Sequence, residues 1–147
     1  FSRMFSGCVS LRNIRFTVTE NCKYLERMFE GCTQFNEEDL GGWNVRNVED
    51  FSSMFEGCSS LQDPKIGDWS KHWDNGTADN INFQRMFYNC TNLKTDLRNW
   101  HLRFNAYTTE NYENMLRGCQ NFDRDKGPLP VIYRKLRIDV PRLMYGL

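Results

Sequence analysis

The chain has 147 residues, in which nineteen Lys and Arg balance nineteen Asp and Glu to a formal net charge of zero. That length is one ordinary domain with a buried core, and the balance excludes a strongly basic nucleic-acid binder or an acidic disordered tail as a reading of the whole. Aromatic residues make up 14%, too many for a disordered chain; no apolar stretch approaches the roughly 18 residues of a membrane span; and six cysteines are too sparse for a small disulfide scaffold.

The chain opens at Phe1, with no Met and no signal-like apolar segment, and so reads as the truncated end of something longer. Met4-Phe5-Ser6-Gly7-Cys8 follows at once. The same five positions return as Met28-Phe29-Glu30-Gly31-Cys32, Met54-Phe55-Glu56-Gly57-Cys58, Met86-Phe87-Tyr88-Asn89-Cys90 and Met115-Leu116-Arg117-Gly118-Cys119. Their cysteines step by 24, 26, 32 and 29 residues. A large apolar residue stands three positions before each Met (Phe1, Leu25, Phe51, Phe83, Tyr112), and another three after each Cys (Leu11, Phe35, Leu61, Leu93, Phe122). Leu40/Trp43, Ile66/Trp69 and Leu97/Trp100 add a third matching pair. Five such registers define an internal repeat.

Within a unit the spacing predicts a short helix. In residues 47–58, Asn47 is a good N-cap and Asp50 falls at the third helical position. Val48, Phe51, Phe55 and Cys58 then follow at spacings of 3, 4 and 3, which is one helical face. Gly57 and its equivalents Gly7, Gly31, Asn89 and Gly118 are what a left-handed C-terminal cap tolerates. Segments 35–45, 61–69 and 93–102 read as a turn plus a short strand. Neither element buries its apolar side alone, so the units must stack. The fold class expected is α/β: a right-handed solenoid of about five short helix–strand repeats over residues 1–122. Asp123 to Pro128 is a loop by composition and Val131 to Ile138 looks like a strand, so 123–147 is expected to be a C-terminal cap or docking arm.

Chemistry is harder to place. Cys8, Cys32, Cys58, Cys90 and Cys119 share one repeat position, and Cys22 takes the slot that Val48 fills in the next unit. An inward-facing column of reduced thiols is expected, because free Cys behaves as a small hydrophobe. Disulfides are discounted because packed helices lie about 8–10 Å apart while bridged Cα atoms lie within about 7 Å. Zinc needs closer Cys pairs than Cys22 and Cys32. His72 and His101 stand alone, and there is no Gly-rich phosphate loop or Ser nucleophile elbow. No catalytic residue, metal or cofactor is therefore assigned, and the chain is not expected to be an enzyme.

Trp43, Trp69 and Trp100 occupy one register and read as core or ladder residues first, ligand platforms second. Trp73 is off-register, in the insertion Ser70-Lys71-His72-Trp73-Asp74-Asn75-Gly76. Insertions in stacked repeats map to loops on one face, so His72, Trp73 and Asn75 are candidate partner contacts; the alternative folds Trp73 back over its own coil. Phe104 and Tyr107, in a second insertion, are a weaker version of the same idea. Residues 123–147 carry six cations against three carboxylates, net +3, leaving −3 elsewhere. Arg134, Lys135 and Arg137 are thus candidates for docking on an acidic partner, against a merely solvated cap.

The units resemble the BspA-type leucine-rich-repeat surface protein family, also described by its mycoplasma lipoprotein-type repeat. The closest runs from Trp43-Asn44-Val45 through Asn47-Val48 and Phe51 to Met54-Phe55-Glu56-Gly57-Cys58, and the resemblance covers about residues 1–122. It implies a leucine-rich-repeat-like solenoid. Similar proteins are bacterial surface proteins and adhesins, also found in protists and large DNA viruses, so it further implies an extracellular adhesin module. The residues themselves favour a non-catalytic repeat scaffold presenting a protein–protein interaction surface within a larger assembly. An adhesin is the runner-up, and carbohydrate binding through exposed Trp is weaker. The partners expected are proteins, not nucleic acid or a small-molecule substrate. Location is left open between a cell surface and a large particle.

Overall fold

The computed structural model describes residues 1–73, 80–104, 109–132 and 139–146, with the backbone alone at 103, 104 and 129–132. The five Met-Phe segments are not helices. In the third unit Met54 N–H donates to the Phe51 carbonyl (3.1 Å), Glu56 to Ser53 (3.1 Å) and Cys58 to Phe55 (2.9 Å). Each bond reaches back three residues and closes a four-residue turn, and none has the four-residue reach of an α-helix. The N–H groups in between turn outward along the stack: Phe51, Ser53, Phe55 and Gly57 donate to Asn82, Gln84, Met86 and Tyr88 of the next unit at 2.8–2.9 Å.

Two left-handed residues per unit make this alternation possible. They lie four positions apart: Arg27 (φ 56°) and Gly31 (φ 72°), Ser53 (54°) and Gly57 (76°), Arg85 (56°) and Asn89 (60°). Each sits at the third position of its turn, where a positive φ reverses the chain. Gly57 is therefore left-handed for a different reason from the helix cap expected of it. Each non-glycine residue among them (both members in the Arg85/Asn89 pair) carries about 1–2 kcal/mol of strain, offset by the bonds its turn lets form. The capping roles expected of Asn47 and Asp50 also change. Asn47 Nδ2 donates to the Glu20 carbonyl of the preceding unit (2.7 Å), and Asp50 Oδ1 accepts from Ser52 N–H (2.8 Å).

Ring spacing explains why turns displace helices. Phe5, Phe29, Phe55 and Phe87 form a column with centroids 5.5–5.7 Å apart and planes within 9°. Phe51, Phe83 and Tyr112 form a second at 5.4 and 5.9 Å, and Phe16, Trp43, Trp69 and Trp100 a third at 5.9–6.5 Å. Packed helices hold their axes about 8–10 Å apart, too far for such columns. Hydrogen-bonded extended chains lie about 4.8 Å apart, which brings equivalent rings into contact. These columns, with Met28, Met54, Met86 and the cysteines, are the core.

The regular elements are few. Short 3-10 helices cover Gly67–His72, Thr109–Tyr112 and Arg124–Lys126. Strand β1 (His101–Phe104) pairs in parallel with β2 (Leu129–Ile132), His101 opposite Leu129. Helix α1 (Val140–Tyr145) starts at Asp139, whose side chain accepts the Arg142 N–H, and buries Val140 and Met144. It lies over the fifth unit: Asn114 and Leu116 donate to the carbonyls of Leu143 and Met144, both at 2.8 Å. Met144 thereby takes the place that Met28, Met54, Met86 and Met115 hold in the ladder.

In these Met-Phe segments the inter-unit backbone bonds run from N–H in one unit to C=O in the following one, while the cysteine Sγ–H groups run the other way, to the Phe carbonyl of the preceding unit.

Candidate functional site

The cysteines form a column, held by an interaction the spacing alone does not announce. Cys32, Cys58, Cys90 and Cys119 each donate Sγ–H to the carbonyl of the preceding unit's Phe5, Phe29, Phe55 or Phe87, at 2.9–3.0 Å. Burial pushes the Cys32 thiol up to about 11 and Cys119 up to about 12, and raises Cys58 and Cys90 further. Thiolates are the reactive form, so these groups are held away from nucleophilic or metal chemistry. All six cysteines are free. The distance argument against disulfides does not apply, since the units stack at ladder spacing and not at helix spacing. Cys8, in the first unit, is exposed.

The tryptophans of the repeat are interior. Trp43, Trp69 and Trp100 are 2%, 0% and 0% exposed. Trp69 Nε1 donates to the Leu40 carbonyl (2.9 Å) and Trp100 Nε1 to Ile66 (3.1 Å), one unit back in each case. They therefore offer no platform for a sugar ring. Trp73 is also not an exposed anchor. It is buried, edge-on against Phe51, Phe83 and Trp100 at 5.0–5.7 Å, because the 3-10 helix Gly67–His72 returns the chain over its own coil. His72, half-buried, ends that helix. Asn75, Tyr107, Arg134, Lys135 and Arg137 lie outside the described residues, and Phe104 is placed only by its backbone in β1.

What the exterior offers instead is a row of amides. Arg12, Asn13, Gln34, Asn36, Ser60, Gln62 and Asn92 line an open groove of about 500 Å³. All but Asn13 stand two or four positions after the repeat cysteines, flanking Leu11 and the buried Phe35, Leu61 and Leu93. Asn36 Oδ1 accepts the Gln62 N–H (3.1 Å), Asn92 Nδ2 donates to the Ser59 carbonyl (2.7 Å), and Asn121 Nδ2 donates to Asn92 Oδ1 (3.0 Å). The backbone beneath is tied from coil to coil by Asn36 N–H to Arg12 (2.9 Å) and Lys94 N–H to Gln62 (2.8 Å). The result is a fixed surface of neutral donors and acceptors with one lining cation, Arg12. The acidic run nearby is partly structural, since Glu37 Oε2 accepts the Ile14 N–H at 3.0 Å. Of the charged pairs elsewhere, Arg27–Glu30, Lys71–Asp68 and Arg98–Asp96 are local in sequence, while Arg85 and Glu56 join neighbouring units. Arg98 beside Asp96 (2.7 Å) holds its carboxyl down to about 2. Burial pushes Glu56 up, but hydrogen bonds from Arg85 and Ser53 more than offset it. Among the described residues no helix is long and apolar enough to cross a membrane.

A stack of turn-built repeats with a polar outer row is a repeat protein by architecture. The chain belongs to the family described as "Mycoplasma protein of unknown function, DUF285", which matches residues 1–128. No curated protein and no solved structure matches it.

Proposed function

We propose that the chain is a non-catalytic scaffold, a solenoid of the BspA leucine-rich-repeat kind, whose amide row holds a protein partner within a larger assembly. The observation that carries this reading is the pair of amide registers along the stack, Asn36 with Gln62 and Asn92 with Asn121, in which several side chains are already hydrogen-bonded to a neighbouring unit. A side chain fixed before binding avoids the roughly 0.5–1.5 kcal/mol that ordering it at an interface costs. Neutral amides on a rigid ladder suit the backbone and side-chain polar groups of another protein, and their spacing repeats with the units. Enclosure of the thiols gives them a structural use and leaves them out of the reading.

A photo-crosslinking residue at Gln62 or Asn92 tests it, with one at Arg46 as control, in the separate groove lined by Lys23, Asn47 and Asn80. Adducts with the same protein are expected from Gln62 and Asn92 and not from Arg46, and Gln62→Arg is expected to abolish them. Adducts from Arg46 alone, or binding unaffected by Gln62→Arg, would remove the amide row from the function.

A further inference from the structure

The polar face beside the cysteine column has a charge order of its own. Four positions after the repeat cysteines stand Arg12, Asn36, Gln62, Lys94 and Asp123, with Glu37 next to Asn36. Two positions after them the register is neutral throughout: Ser10, Gln34, Ser60, Asn92 and Asn121. Among the described residues Arg12, Glu37, Lys94 and Asp123 make no ion pair. Arg124, next to Asp123, is occupied over the Tyr145 ring (4.4 Å). The face thus carries unpaired charges of both signs toward its two ends and neutral amides at its centre.

We infer that this face docks a second copy of the same chain, stack antiparallel to stack, with the two-fold axis lying in the face along the third unit. Reversing one stack sets Arg12 opposite Asp123 of the second copy, Lys94 opposite Asn36 and Glu37, and Gln62 opposite Gln62. Each cation then gains a carboxylate that its own chain does not give it, and the symmetry repeats the gain. Asp63, which meets its own copy, stands outside the groove lining. The centre needs no charge, because an amide carries both donors and an acceptor, so a row of amides is its own complement. A second copy also brings the same period, since units joined by backbone hydrogen bonds repeat at about 4.8 Å. This pairing rests on the proposed role of the amide row as a contact surface and gives that surface its occupant.

The test is sedimentation over a concentration series, for the chain, for Gln62→Lys, for Gln62→Glu and for an equimolar mixture of the two variants. Gln62 is exposed and among the described residues only its backbone is hydrogen-bonded, so neither substitution disturbs the fold. A dimer that dissociates on dilution is expected. Each variant alone sets like charges on the axis and is expected to weaken the dimer by about tenfold or more; the mixture sets opposite charges there and is expected to restore it. A chain that stays monomeric, a dimer indifferent to both substitutions, or a mixture no tighter than its components would overturn the inference. A photo-crosslinking residue at Asn92 reads the orientation. It is expected to join the second chain near Gln34, and adducts near Asn92 or Lys94 instead would refute the antiparallel pairing. The two readings fail separately. A monomeric chain whose Gln62 and Asn92 crosslink to a different protein loses the second copy and keeps the amide row, and one that crosslinks to nothing loses both.

Discussion

Raising the pH is expected to unfold this protein through its thiol column. Cys58 and Cys90 are fully enclosed, and burial holds their protons on far above the usual thiol range. The unfolded chain releases the same protons near about 8.5. With the folded pKa above the unfolded one, the stability is complete below that value and falls as pH rises through the gap. A thiol that stays protonated in the folded chain costs about 1.4 kcal/mol per pH unit there. From pH 9 to 11 Cys58 alone then costs on the order of 3 kcal/mol, a large share of a domain's stability of about 5–15 kcal/mol, and Cys90 acts in the same direction. Cys32 and Cys119, held up to about 11 and about 12, act in the same window. The assay is the denaturant midpoint, followed by tryptophan fluorescence between pH 7 and 11, for the parent and for Cys58→Ser with Cys90→Ser. The serine hydroxyls are placed to donate to the carbonyls of Phe29 and Phe55 as the thiols do, but they do not titrate there. A clearly flatter pH dependence is expected for the double variant. Parallel curves would refute the assignment of the alkaline transition to these thiols.

Phe55→Ala, between Phe29 and Phe87 in their column, is expected to cost about 3–5 kcal/mol; Met4→Ala at an exposed position is expected to cost less than about 1 kcal/mol, and equal effects would deny the difference in burial. Gly118→Ala places a Cβ 3.2 Å from Asn89 Cα at φ 80° and is expected to lose about 1–3 kcal/mol in denaturant titration; Asn89→Gly is expected to recover the contact part but not the backbone part. Asp139→Ala removes the α1 cap and is expected to cost about 1 kcal/mol, with amide exchange faster at Asn114 and Leu116 than in the third unit. Uniform acceleration would argue against α1 as the cover of the last coil.

The register of the repeat was legible from residue identities because the core is made of columns. A column demands the same kind of side chain at the same place in each unit, so Phe29, Phe55 and Phe87, or Trp43, Trp69 and Trp100, declare themselves without any secondary-structure assignment. The element type was not legible, because the 3-4-3 spacing of Val48, Phe51, Phe55 and Cys58 fits a helix face and a chain of turns alike. The signal that separates them is a second left-handed position four residues before Gly57. It is filled by Arg27, Ser53 and Arg85, residues that give no hint of positive φ, and only in the fifth unit by Asn114, which does. The sequence leaves Trp73 open between a surface anchor and a return over its own coil, because length and Asn-Gly chemistry show where a loop departs, not whether its aromatic returns.

The amide row was overlooked in the sequence for a physical reason. The row is written at two positions after each repeat cysteine, but Gln, Asn, Ser, Arg and Lys interchange there, since a solvent-facing position constrains polarity and not shape. Once turns replace helices, the Met-Phe rows carry their N–H groups toward the following unit, while rows such as those of Asn36, Lys94 and Asn121 carry theirs toward the preceding one. In the last Met-Phe row the Asn114 and Leu116 N–H groups are met by the Leu143 and Met144 carbonyls in the last turn of α1, the negative end of that helix.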